Sequence, residues 1–101
     1  MSNEPKPYII CFGTPQPRCV VFGWSAERPR PDQHATLTGA RTILRWDVHG
    51  LFGLADVGPA GDTRISAPVA MLETCHVAQV IEVTEAAAAA IAAHPAYSSY
   101  D

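Results

Sequence analysis

Charge is scarce in this 101-residue chain: Asp, Glu, Lys and Arg make up 17% of it, against 48% apolar residues. So little charge leaves room for an apolar surface used in self-association. Positive charge is not in excess either. The formal net charge is −3, which argues against a general nucleic-acid binder, since that role needs a basic surface to displace counterions. A local basic pocket remains open. Cysteine is limited to Cys11, Cys19 and Cys75. An odd count without CxxC spacing provides neither a disulfide framework nor a zinc site. The three thiols are read as reduced and mostly buried, which fits a cytoplasm.

Other absences narrow the function further. No run reaches the ~20 apolar residues of a membrane span, and "AAAAAIAA" is too short and too weakly apolar for one. Met1 to Pro7 is polar and no long apolar run follows it, so no signal peptide is expected. A Gly-rich phosphate loop is missing, because "GTPQPR" and "GPAGDT" lack its spacing and its lysine. His34, His49, His76 and His94 are dispersed, with no i, i+4 pair. No metal and no cofactor are therefore expected.

What is present reads as one small domain. A chain of this length buries roughly two-thirds of its unfolded surface and supports a core without staples. Residues 1–7 read as a flexible tail and 8–101 as the globular part. "YIICF", Tyr8 to Phe12, and "RCVVFGW", Arg18 to Trp24, are apolar, rich in β-formers and separated by turn residues, as in a hairpin. Gly23 marks a bulge or a close backbone approach. "SAERPRPDQ" carries Pro29 and Pro31, which cannot join a central ladder, and reads as an exposed loop. Gly39 reads as a turn between strands Ala35 to Leu37 and Ala40 to Trp46. In the second of these, Thr42, Leu44 and Trp46 share one face and Arg41, Ile43 and Arg45 the other.

The period then changes. Asp47 is an expected N-cap, Leu51, Leu54 and Ala55 have helical spacing, and Gly58-Pro59 is a stop. Gly50 and Gly53 weaken this helix by roughly 1 kcal/mol each, so it depends on tertiary packing. "RIS" is a short edge strand interrupted by Pro68, and "VAMLE" and "HVAQVIEVT" are the last two strands. Thr84 caps a final helix that opens on Glu85 and ends before Pro95. The fold class is α+β: a small, mainly antiparallel β-sheet or partly closed barrel of five to seven strands. It carries one short internal helix and a C-terminal helix.

Residues 37–57 and 80–96 resemble a family of short phage- and prophage-encoded proteins. The residues that carry the likeness are Leu37, then Ala40, Arg41 and Ile43, then Trp46, Leu54 and Ala55, and finally Thr84, Glu85 and Ala86. That family's pattern is a leucine, then "ARRI", an aromatic, "LA", and a later "TEEA" helix. Here Thr42 replaces the pattern's second arginine and Gly50-Leu51 the serine-leucine start of its helix. The resemblance implies a phage accessory protein acting in the bacterial cytoplasm. It supplies no activity.

Two groups of residues are candidates for a site. Arg41 and Arg45 stand roughly 13 Å apart on one strand face, and guanidinium forks suit phosphate. Trp46 follows them and can stack on a base if a bulge turns it. The plain structural alternative puts Trp46 in the core and the arginines on a solvent face. Trp24 with Arg28 and Arg30 forms a second aromatic-basic group, on a loop that is either a lid or a solvated connection. Cys11 or Cys19 with His76 would be a nucleophile and base, but thiols inside apolar strands are usually inert. Glu73 and Glu82, read as coming from neighbouring strands, lack any accompanying catalytic signature. No catalytic residue is assigned.

The expectation is a non-enzymatic phage accessory protein, with counter-defence as its setting. It would block a host defence protein or sequester a small phosphate-bearing nucleotide. The nucleotide mode implies a homo-oligomer, because so small a domain rarely encloses a ligand alone. The alternatives are a small nucleotide-processing enzyme and a structural phage protein that self-assembles.

Overall fold

A computed structural model of the chain describes residues 4–13, 19–46, 50–61, 63–74 and 77–97. Its elements run β1 (Lys6–Phe12), β2 (Cys19–Ser25), β3 (Ala35–Arg45), α1 (Gly50–Val57), β4 (Arg64–Ile65), β5 (Val69–Thr74), β6 (Val77–Glu82) and α2 (Glu85–Ala93). The fold is α+β, with six antiparallel strands and two helices. Lys6 and Pro7, read from the sequence as part of a tail, belong to β1, where they pair with Ser25 and Trp24.

The sheet runs β4-β3-β2-β1-β6, and β5 joins β3 beside β4. β1 and β2 form the expected hairpin, with Ile9 opposite Phe22 and Phe12 opposite Cys19. β4 and β5 follow one another along the same edge of β3. β4 pairs the far half of β3, and Val69 to Thr74 pair β3 from Ala40 back to Ala35. After two more residues, β6 pairs β1. Gln33, just before β3, accepts a bond from Val77 N, and Asp32 N donates to Val77 O. These two bonds fasten the loop before β3 to the start of β6, and the sheet itself stays open.

The sheet separates two cores. One holds Tyr8, Ile10, Val21, Ala35, Leu37, Ala40 and Val77. On the other side, Ile9, Phe22, Ile43 and Ile65 meet Leu54 and Ala55 of α1 and Ala87, Ala88 and Ile91 of α2. Neighbouring residues of β1 thus serve opposite cores, which is why "YIICF" is apolar throughout rather than alternating.

β3 departs from expectation. Gly39 is not a turn between two strands. It takes φ +57° within one continuous 11-residue strand, at a register shift against β2. A bulge of this kind places a glycine where φ is positive, and it re-aims the side chains that follow. As a result Arg41 and Ile43 point into the helix-side core, while Leu44 is exposed. Of the face read as Arg41, Ile43 and Arg45, the first two are buried and Arg45 is exposed.

The helix ends follow local chemistry. Thr84 accepts from Ala87 N at 3.1 Å and donates to Asp56 O at 2.8 Å, so it caps α2 and ties α2 to the end of α1. Gly58 ends α1 at φ +92°, with its N–H on Leu54 O. The expected cap at Asp47 lies outside the described residues.

Gly23 is a close approach. A Cβ there would sit 2.8 Å from Leu37 Cβ, at the root of that side chain. Gly23→Ala is expected to destabilise the fold by about 1–3 kcal/mol through overpacking, read as a lower urea midpoint. Leu37→Ala should not rescue it, because the clashing Cβ remains. A rescue would show that the distal Leu37 methyls, not the backbone approach, set the cost.

Candidate functional site

The Pro-rich loop between β2 and β3 folds back against the sheet and leaves a cleft of about 910 Å³. Trp24 and Ser25 from the end of β2, Arg28, Arg30 and His34 from the loop, and Thr36 and Thr38 from β3 line it. Two local features hold the loop. Ser25 Oγ donates to Glu27 O, turning the chain out of β2. Asp32 takes φ +64°, a conformation Asp tolerates better than most residues, and delivers its N–H to Val77 O at 2.7 Å.

Trp24 is half-buried, with its ring edge against Phe22 at 5.8 Å between centroids and 77° between planes. An indole held this way is a fixed flat wall. Beside it, Arg28 pairs with Glu82 on an exposed part of the surface. Such an ion pair holds its members weakly and yields to a stronger anion. Arg30 and His34 are exposed and form no ion pair among the described residues. Glu27 is the one acidic residue lining the cleft, against two arginines and a histidine. The cleft therefore offers one aromatic plane, two guanidinium forks, threonine hydroxyls and the amide of Gln33.

Arg41 is elsewhere and otherwise occupied. It is 4% exposed. Its Nε donates to Ser66 O at 2.8 Å, and its Nη1 donates to Ile91 O at 2.7 Å and Ala92 O at 3.2 Å. These last are carbonyls of the final turn of α2, past the i+4 ladder; Ile91 O also accepts from His94 N at 3.2 Å, and both carry the negative end of the helix dipole. Burial lowers the guanidinium pKa from its ordinary value. Arg41 joins β3, α2 and the segment after β4, and it does not face the cleft.

A model of a domain of unknown function, DUF6948, matches residues 11–91. The chain belongs to this family. The match takes in both cores apart from Tyr8, Ile9 and Ile10 of β1, and the whole cleft except Pro5. No curated protein and no solved structure matches the chain.

Within this DUF6948 domain the candidate residues fall into two places. Trp24, Arg28 and Arg30 come together in the cleft, as their spacing along the chain allows. Arg41, Arg45 and Trp46 do not form a site together. Arg45 pairs with Arg64 in the ladder at the far end of β3, roughly 20 Å along the strand from Thr38. Trp46 is exposed just beyond Arg45, not in the core. Leu44, Arg45 and Trp46 all face solvent because the bulge and the strand end break the two-residue alternation.

The remaining groups are dispersed. Cys11 is buried, and desolvation raises its thiol pKa, which makes it a poor nucleophile. Cys19 is exposed rather than buried, since it sits at the first residue of β2. Glu73 and Glu82 lie on β5 and β6, which pair different strands, and Glu82 is taken by Arg28. His94 Nε2 contacts Thr63 O at 3.1 Å. Cys75, His49 and His76 lie outside the described residues. Among the described residues, no group of three or more His, Cys, Asp or Glu is placed to hold a metal, and no helix is long and apolar enough to cross a membrane. Sequence reading did not place His34, Thr36 and Thr38 at the site. The alternation of Thr36 and Thr38 around buried Leu37 was the available signal.

Proposed function

We propose that this protein is a non-catalytic binding protein that sequesters a small phosphate-bearing nucleotide in the cleft beside Trp24. The observation that carries the reading is the convergence of one fixed indole face with Arg28 and Arg30 around a single cleft. A base stacks on an aromatic face at about 1–3 kcal/mol, and guanidinium forks match phosphate oxygens. The modest charge of the cleft fits a small anion better than a polymer. A phage accessory protein in a bacterial cytoplasm, withdrawing a host's nucleotide signal, is the setting we infer for such an activity. Blocking a host protein is the competing mode.

The test is a thermal-shift and fluorescence screen with cyclic and linear nucleotides in a Trp46→Phe background, where Trp24 is the remaining tryptophan. A ligand at 100 times its Kd should stabilise the fold by about 2.7 kcal/mol and quench Trp24. Arg30→Ala is expected to weaken binding by about tenfold or more. Bound nucleotide should be recovered chemically intact. Recovery of converted nucleotide would make the protein an enzyme, and failure of every nucleotide to bind would end the sequestration reading.

A further inference from the structure

The borders of the sheet are treated unequally. At β4 the C-terminal segment lies alongside: Tyr97 N donates to Ile65 O at 2.8 Å, and the Arg64 guanidinium sits 4.8 Å from the centre of the Tyr97 ring. At the start of β6, the loop before β3 bonds Val77 through Asp32 N and Gln33 O. β5 has no such cover. Among the described residues it pairs β3 alone, and its other edge is open. Folded proteins normally protect an edge with lysine, an internal proline, a bulge or a covering segment. "VAMLET" has no lysine, proline, bulge or covering segment among the described residues; its one charge is Glu73, and Val69 and Met71 are 51% and 60% exposed.

We infer that the open edge of β5 pairs with β5 of a second copy, antiparallel about a two-fold axis at Met71. The occupant follows from self-complementarity. A two-fold axis perpendicular to a continuous sheet keeps each face on its own side, so only residues of equal parity oppose one another. Centring on Met71 sets Met71 against Met71 of the second copy, Val69 against Glu73, and Ala70 against Leu72. The outer face then gains an apolar pair at its middle, and no carboxylate meets another. A centre at Glu73 would oppose like charges, which destabilises a strand pair.

The pairing also reaches the cleft. Thr38 and Thr36, which line it, are the register partners of Met71 and Glu73 on β5. In the dimer, Val69 of the second copy stands beside Glu73, so two clefts flank the axis on one continuous sheet face. The inference does not depend on what the cleft binds.

Sedimentation equilibrium of the full chain up to ~1 mM suits so short an interface. A mass near twice the 10.8 kDa of one chain is expected at the upper end. Met71→Lys sets two ammonium groups opposite one another and should leave a folded monomer, with an unchanged far-ultraviolet spectrum. Val69→Lys places a lysine opposite Glu73 on both sides of the axis and should tighten the dimer about two- to thirtyfold, from the 0.2–1 kcal/mol of each of the two cross-strand pairs. Phe52→Lys, on the exposed side of α1, should leave dimerisation unchanged. A monomer at every concentration, a dimer that survives Met71→Lys, or Val69→Lys acting like Met71→Lys would overturn the proposal.

Discussion

Replacement of Arg41 by methionine is expected to lower the unfolding free energy by about 2–4 kcal/mol, a large share of the 5–15 kcal/mol typical of a domain. Methionine keeps the apolar stem and removes only the guanidinium. The carbonyl oxygens of Ser66 and Ala92 then lose this donor, and Ile91 O is left with the His94 N–H alone. A buried polar group left unpaired costs about 1–3 kcal/mol. Two of these carbonyls close α2, so their loss also frays the last turn, from which Ile91 fills the core. Arg41→Lys should recover part of the loss, because one ammonium can serve α2 or Ser66 but cannot span both as the fork does. Urea unfolding followed by circular dichroism measures both variants. A cost under about 1 kcal/mol for the methionine variant would mean that water replaces the fork. The same experiment separates structure from binding: whatever fraction of Arg41→Met stays folded should keep its affinity for a cleft ligand.

Arg41 also shows what a linear reading can and cannot recover. Its alternation with Ile43 was visible and correct. Its burial was not, because arginine is mostly a surface residue and its partners lie 50 and 51 positions away in α2. The bulge at Gly39 turned the pleat, so the buried face of β3 could not be assigned from its apolar content. Features set by neighbours along the chain were legible. Thr84 and Gly58 end their helices through contacts within a few residues, and the β1–β2 hairpin follows from two apolar runs separated by turn residues. The cleft was half legible for the same reason. Trp24, Arg28 and Arg30 are close in sequence and remain close in space. His34, Thr36 and Thr38 join them only because Asp32 and Gln33 anchor the loop to Val77, a contact across more than forty residues.

Phe22→Ala is the second large effect, expected at about 3–5 kcal/mol from lost transfer energy and the cavity left behind. Phe22 is fully buried, lies opposite Ile9 on β1 and Arg41 on β3, and is shared by the sheet and both helices. Its neighbours come from four elements, so they are poorly placed to close the gap. The ring also supports the cleft, through its edge contact with Trp24. An aromatic pair is worth about 0.5–1.5 kcal/mol beyond area burial, and Phe22→Leu isolates that part. The leucine variant should fold, lose about 1–2 kcal/mol, shift the Trp24 emission to longer wavelength in the Trp46→Phe background, and weaken any stacked ligand several-fold. An unshifted emission would show that Trp24 is fixed by the loop rather than by Phe22. Because Phe22 and Arg41 are register partners, the two large effects should not add. A double-mutant cycle is expected to give a coupling of about 0.5–3 kcal/mol, since either loss alone already loosens the junction of β2, β3 and α2.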